Sequence, residues 1–378
     1  MSGIYIHIPF CKQACHYCDF HFSTSLKRKD QMIFALCEEL KIRRSEVADY
    51  EIINTIYFGG GTPSILKSEE IRFIIDTIYE TYLVADEAEI TLEANPDDLT
   101  PEAISIWANS PINRLSIGIQ SFFEEDLEMM NRAHSAEEAL QCLQLAAAHF
   151  DNISIDLIYG IPGMTIDRWK QNLELALASK IPHISSYALT VEPKTALDAY
   201  IRKGKIPAPR DEVAQQHFEL LIDTLETAGF INYEFSNFGK PGFFSKNNTA
   251  YWQGKPYLGI GPSAHSFNGI QRSWNIPNNI KYIDALAQKE LPREIETLST
   301  QDRYNEYIMT GLRTIWGVSL TKVLQEYGDS YHSYLLQHAQ RFIDKQLLTI
   351  EDNTLLITKK GKFLSDGIAS DLFFLNLT

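Results

Sequence analysis

Three cysteines, Cys11, Cys15 and Cys18, stand in the order C-x3-C-x2-C directly after the run Ile4-Tyr5-Ile6-His7-Ile8-Pro9-Phe10. Thiolates at such short spacing select soft metals, chiefly iron–sulfur clusters or zinc. Three of them can hold three corners of a four-iron cluster and leave the fourth iron without a protein ligand. A structural zinc site asks for a fourth Cys or His, and His16 or His21 could supply one, so spacing alone leaves both readings open. Cys37 and Cys142 fall in apolar, helix-like runs and read as buried structural thiols.

Further strings of chemical interest are spread along the first half of the chain. Gly59-Gly60-Gly61-Thr62-Pro63 would let a backbone approach a ligand closely and offer its peptide groups. Glu93, Gly118-Ile119-Gln120, Asn131-Arg132-Ala133-His134 and Asp156-Leu157-Ile158-Tyr159-Gly160-Ile161-Pro162 add carboxylates, an amide and a guanidinium. Carboxylates can take hydroxyl groups, and an arginine can pair with a carboxylate.

These residues need elements to bring them together. Strand-like runs centre on Ile6, Tyr57, Leu92, Ile117, Ile155 and Tyr187, and segments such as Gln31 to Arg44 and Ser68 to Leu83 carry apolar residues at helical spacing. Strands alternating with helices imply a parallel sheet with right-handed crossovers. Six units over residues 1–235 predict an α/β fold, a partial (β/α)6 barrel, with the site at the carboxyl ends of its strands. Cys11 to Cys18, Gly59 to Pro63, Glu93, Gly118 to Gln120 and Asp156 to Pro162 each close, follow or lie in a strand, so they could converge on one rim.

Residues 236–298 read as an aromatic, Gly/Pro-rich connecting region. Within it Gly259-Ile260-Gly261-Pro262-Ser263-Ala264 superficially fits a dinucleotide fingerprint but reads as a structured loop beside His265. Residues 299–378 predict helices over Ser299 to Trp316, Leu320 to Tyr327 and Tyr331 to Lys345, then a hairpin turning at Asp352-Asn353. The result would be a C-terminal α+β region ending in a winged-helix-like module.

With 378 residues, 44% of them apolar, the chain can bury a large core. Its net charge of −15 argues against a nucleic-acid or anionic-membrane surface and favours a protein-contact or lid role for the last module. No apolar run spans a bilayer and no leader is evident, so a cytoplasmic protein is expected.

The cysteine loop, with Tyr17 before its third cysteine, resembles the signature of the radical S-adenosylmethionine (SAM) superfamily. That resemblance implies a [4Fe-4S] cluster on Cys11, Cys15 and Cys18 whose open iron is chelated by SAM, with reductive cleavage to a 5′-deoxyadenosyl radical. It implies SAM-binding positions at Tyr5, Tyr17, Phe20, Gly60, Gly61, Thr62, Glu93, Gln120, Arg132 and Asp156, with Arg132 on the methionyl carboxylate and the carboxylates on the ribose.

The whole chain resembles one branch, the haem chaperones HemW. Tyr5 to Cys11, Gly59 to Ser64, Tyr233-Glu234-Phe235-Ser236-Asn237-Phe238, Tyr257 to Ser266 and Leu356 to Asp366 carry that likeness. The related coproporphyrinogen III dehydrogenase has one more cysteine where this chain has Phe20, and a long arm before its cluster loop. The branch implies haem as bound cargo and apo-haemoproteins such as respiratory enzymes as partners, with peripheral membrane association through them. It also implies a haem-binding His-Asn-x-x-Tyr-Trp string. Here that string reads Asn247-Asn248-Thr249-Ala250-Tyr251-Trp252, so Asn248, Tyr251, Trp252 and His265 are the haem candidates, with His7 or a tyrosinate as other ligands. The rival readings are radical decarboxylation of coproporphyrinogen III and, more distantly, a radical SAM methyltransferase.

Overall fold

A computed structural model describes residues 3–48 and 50–375. Six strands follow one another in chain order: β1 (Gly3–Ile8), β2 (Ile52–Gly60), β3 (Leu83–Ala94), β4 (Arg114–Gln120), β5 (Ile153–Tyr159) and β6 (His183–Ala188). They lie side by side in that same order and all are parallel. The crossovers are helical: α1 (Lys29–Ile42), α2 (Ser68–Thr81), α3 (Pro101–Ala108), the pair α4 (Glu124–Met129) and α5 (Ala136–Ala147), and α6 (Ile166–Ala178). Two more, α7 (Ala196–Arg202) and α8 (Asp211–Thr227), follow β6. This is the expected partial barrel.

The two faces of the sheet differ sharply in chemistry. Registered residues Ile4, Ile56, Ile90 and, two positions on, Ile6, Phe58, Leu92 and Leu115 form the outer face and are fully buried under the helices. In α2, Ile71, Ile74, Ile75 and Ile78 recur at three- and four-residue spacing and supply part of that cover. The alternate residues, Tyr5, His7, Tyr57, Glu93, Asp156, Ser185 and Tyr187, therefore face the concave side. Helices begin where hydroxyls cap them: Thr100, Ser135 and Thr165 accept from the backbone of α3, α5 and α6, each worth about 1 kcal/mol.

Residues 236–298, expected as an aromatic, Gly/Pro-rich connecting region, carry five short strands and two helices. After β7 (Ile231–Glu234), β8 (Asn237–Gly239) pairs antiparallel with β6. Beyond α9 (Lys246–Trp252), β9 (Tyr257–Ile260) pairs parallel with β1 on the opposite edge. Three antiparallel strands, β10 (His265–Phe267), β11 (Gln271–Asn275) and β12 (Arg293–Thr297), continue outward, with α10 (Asn279–Ala287) between the last two. One twelve-stranded sheet results. Short strands rich in Gly and aromatic residues lack the strict alternation that marks a strand in sequence, so the segment read as irregular. Gly259 is glycine because a Cβ there would collide with the backbone of His265.

A buried ion pair joins the extension to the barrel. Arg43, just after α1, donates to Glu39 at 3.1 Å, to the Gly259 carbonyl at 2.8 Å and to Ser266 at 3.1 Å. Glu39 also accepts from Asn275 and Tyr282. Removing one partner of such a pair typically costs about 3–5 kcal/mol.

The tail has its own core, built on Tyr304, Ile308, Leu312, Leu335 and Leu355. It contains α11 (Thr300–Leu312), β13 (Val318–Ser319), α12 (Leu320–Tyr327), α13 (Asp329–Ile343), β14 (Leu348–Glu351), β15 (Thr354–Ile357) and α14 (Ser365–Asp371). Asp352 and Asn353 both have positive φ, 46° and 61°, as a two-residue type I′ turn demands. Among the described residues no helix is long and apolar enough to cross a membrane.

Candidate functional site

The cysteine loop leaves β1 and is held at several points. Cys11 N–H donates to Ser23 O and Thr62 N–H donates to Phe10 O at 2.7 Å. Across the mouth, the segment after α4 grips the loop: His16 N–H donates to Met130 O, Asn131 donates to Ala14 O at 2.8 Å, and Gln13 donates back to Asn131 O. Lys12 pairs with Asp97 and Asp98 beyond β3. Asn131 adopts positive φ, 55°, a conformation asparagine tolerates better than most residues. Its neighbour Arg132 is thereby aimed inward, donating to Asn95 at 2.9 Å, Gly118 O at 2.8 Å and the Cys15 sulfur at 3.4 Å.

The three thiols are partly exposed on this one loop. Thr62 donates to the Cys11 sulfur, and the Phe20 backbone N–H to that of Cys18. Burial, and then the neighbouring cysteines, push the Cys18 thiol up to about 11. Once deprotonated, the three would repel one another and need positive charge, of which Arg132 would supply a part and iron the rest. Soft donors, donated hydrogen bonds and a partnering cation together fit an iron–sulfur cluster.

The triple glycine proves to be necessary for packing. Gly60 has φ of 105°, and a Cβ there would lie 2.5 Å from the His7 ring. A Cβ on Gly61 would lie 2.5 Å from the Phe10 carbonyl oxygen. The string brings β2 against the start of the cysteine loop, with Gly61 N–H donating to Ile8 O.

Two carboxylates stand on the concave face. Glu93 accepts from Tyr57 Oη at 2.7 Å and from the Gly60 backbone. Burial, reinforced by Asp156, raises it to about 7. Asp156 is raised to about 6, again by burial, against the opposing pull of Ser185, Arg114 and Arg132. Tyr5 stacks on Tyr57 with ring centroids 6.0 Å apart. Tyr187, half-exposed on the same face, has its hydroxyl pushed well above its ordinary pKa by desolvation and then by Asp156. Gln120, with φ of 66°, ends β4 where its pairing with β5 shifts register.

Tyr5, Tyr17, Gly60, Gly61, Thr62, Glu93, Gln120, Arg132 and Asp156 are thus gathered around the three cysteines at one mouth. Phe20 differs in being exposed, with its backbone N–H bonded to the Cys18 sulfur. Tyr57, Tyr187, Asn95 and Ser185 were missed; the signal available was their position two residues from, or in register with, residues already singled out.

The haem candidates are more dispersed. Asn247, where the string expected from the resemblance has histidine, is buried, accepts from Thr55 at 3.1 Å and bonds the Tyr251 hydroxyl. Tyr251 packs on Tyr257, with centroids 4.4 Å apart. The Asn248 backbone is capped by Ser245. Trp252 lies under Arg313, and His265 is exposed on β10. His7 is committed, donating to His21 O at 2.8 Å and accepting from Tyr5.

Residues 5–176 match the Radical SAM superfamily model, and residues 298–364 match the HemN C-terminal domain. The chain is 34% identical over 372 residues to the heme chaperone HemW of Bacillus subtilis, covering 97% of this chain and 98% of that one. It is 34% identical over 368 residues to the heme chaperone HemW of Lactococcus lactis, covering 97% and 96%. Among solved structures, coproporphyrinogen III oxidase (HemN) from Escherichia coli superposes with a TM-score of 0.84 at 22% identity, over 98% of this chain and 89% of that one. That last likeness is one of fold. Together with the gathered cysteine loop, these matches place the chain in the radical SAM superfamily, as a member of the HemW family.

Proposed function

We propose that this protein binds haem and hands it to apo-haemoproteins, with a [4Fe-4S] cluster and SAM as its resident cofactors. Membership of the superfamily implies both cofactors. The assignment of the cluster to Cys11, Cys15 and Cys18 rests on their shared loop and on the hydrogen bonds their sulfurs accept. When bound, the cluster supplies one-electron reducing power to SAM.

This chain's residues have separate tasks. Arg132 pairs with the methionyl carboxylate while keeping the loop's Cys15 in place. Gly60, Gly61 and Thr62 offer backbone to the methionyl amino end, and Glu93, Gln120 and Asp156 take ribose hydroxyls. Tyr5 and Tyr17 wall the mouth, and Phe20 contributes its backbone.

The observation that carries the chaperone reading is the nearly end-to-end match to curated haem chaperones. The decarboxylase reading is not favoured, since its likeness is one of fold and Phe20 stands where that enzyme has a further cysteine. Respiratory haemoproteins are the proposed recipients, the tail module the docking surface, and the cytoplasm, with peripheral attachment through partners, the site of action.

The test is anaerobic haem titration of the cluster-reconstituted protein in the Soret band, followed by transfer to haem-depleted membranes. Saturation near one haem per chain and recovery of haem-dependent oxidase activity are expected. No saturable complex, or no recovery, refutes the reading.

A further inference from the structure

Haem cargo needs an axial ligand, and Asn247 is closed off by Thr55 and Tyr251. Other histidines of the barrel are committed as well. His7, His16, His134 and His183 each bond a backbone carbonyl, a hydroxyl or both. His217 is buried and accepts from Gly160 N–H, and His21 bonds Asn279 at 2.7 Å. His149 is exposed just after α5, at the end of the barrel away from the cysteine loop.

His265 differs from these. It is exposed on β10, and among the described residues neither ring nitrogen has a hydrogen-bond partner. Its face of the sheet follows from register. Tyr5 on the concave face is level with Gly259 of β9, so Tyr257 shares that face. Phe267 is opposite Tyr257, and His265 and Trp274 are opposite one another. Tyr257, Phe267, His265, Arg272 and Trp274 therefore continue the concave face that carries Tyr5, with Tyr251 packed at its inner end.

The imidazole stacks on Trp274 at 6.0 Å and 29°. Arg272, held by Glu306 of α11 at 2.8 Å, adds a cation beside it. Partial desolvation of the ring and then Arg272 lower its pKa, which favours the neutral imidazole that can ligate, while the residue stays open to solvent. Flat aromatic walls, one free imidazole and a nearby guanidinium suit a planar, dianionic metalloporphyrin.

We infer that His265 is the axial ligand to haem iron in this chain, on a platform of Tyr257 and Trp274, in place of the family histidine lost at position 247. The inference rests on the haem-binding reading above.

The test is haem titration of the full-length, cluster-reconstituted wild type and of His265→Ala and His265→Gly, with electron paramagnetic resonance of the ferric complexes. An exposed residue can be replaced without loss of fold, which cluster content and SAM binding will report. The variants are expected to bind haem at least tenfold more weakly with a shifted Soret band, and free imidazole should restore the wild-type spectrum to His265→Gly. Weakened binding that imidazole does not rescue makes His265 a wall contact and overturns the ligand assignment. Wild-type spectrum and affinity in His265→Ala also overturn it while leaving the chaperone reading intact. A wild type that binds no haem refutes both.

Discussion

Replacing Gly60 by alanine separates two jobs of the glycine string, backbone conformation and close approach. Gly60 has φ of 105° and Gly229, just past α8, has φ of 81° with no atom within 4 Å of an added Cβ. Gly229→Ala therefore carries only the left-handed backbone penalty, about 1–2 kcal/mol. At Gly60 the Cβ also meets the His7 ring at 2.5 Å. That ring cannot swing away, since it is buried, donates to His21 O and accepts from Tyr5. Overpacking of this kind adds about 1–3 kcal/mol, giving about 2–5 kcal/mol in all. Urea unfolding of cluster-free protein measures both variants, with equal slopes required for comparison. SAM titration of the reconstituted forms then reads the mouth. Gly60→Ala is expected to be the less stable by about 1 kcal/mol or more, the overpacking increment, and to lose SAM affinity while Gly229→Ala retains it. Equal stability losses with unchanged SAM binding in Gly60→Ala would refute the reasoning.

Arg132→Lys keeps the charge but loses the fork that reaches Asn95, Gly118 and Cys15; SAM affinity should fall about tenfold or more, at about 1.5–3 kcal/mol per charged hydrogen bond lost, and unchanged calorimetric binding contradicts it. Glu93 is held near 7 against an ordinary 4.5, so the folded state binds the extra proton, and its ionisation destabilises the fold as pH rises from 4.5 through 7. The loss is of the order of 3 kcal/mol, absent in Glu93→Gln; parallel stability–pH curves for the two proteins would rule it out. The same ionisation frees a carboxylate to accept hydroxyls, so SAM affinity should climb over that rise in pH. Arg313 makes two bonds to Asp366 and lies over Phe235 and Trp252; Arg313→Ala should cost about 1–2 kcal/mol and speed proteolysis between residues 312 and 320, which a digestion time course checks.

The barrel was legible because its strands are parallel and buried on their outer face. Such strands read as β-branched runs, and the six centres at Ile6, Tyr57, Leu92, Ile117, Ile155 and Tyr187 all fall inside β1 to β6. The hairpin at Asp352-Asn353 was legible for a local reason, because only its turn residues accept positive φ cheaply. The segment from Asn237 to Thr297 was not. Its strands are three to five residues long, and they pair with β6, with β1 more than two hundred residues away, or with short neighbours, a pairing that no local pattern encodes. The cysteines and glycines of the mouth stood out by spacing, whereas Tyr57 and Tyr187 did not, since an isolated tyrosine in a strand has no distinguishing neighbour.

The long-range pairing of β9 with β1 bears directly on how the two ligands share one chain. β1 ends in the cysteine loop on its carboxyl side, and its flank receives β9. Tyr5 therefore touches both regions: it stacks on Tyr57 beside Glu93, and its phenol feels Tyr251 next to Tyr257. Arg43 and Glu39 fix this edge from behind, through Gly259, Ser266 and Asn275. An altered SAM site can reach the β9–β12 surface through that seam and through His21, which bonds Asn279 at the start of α10. Arg43→Leu would leave Glu39 buried without its cation and loosen the seam, at about 3–5 kcal/mol, while every residue of the SAM mouth stays in place. Haem binding should then weaken more than SAM binding, and equal losses in the two titrations would mean that the extension and the mouth move as a single unit.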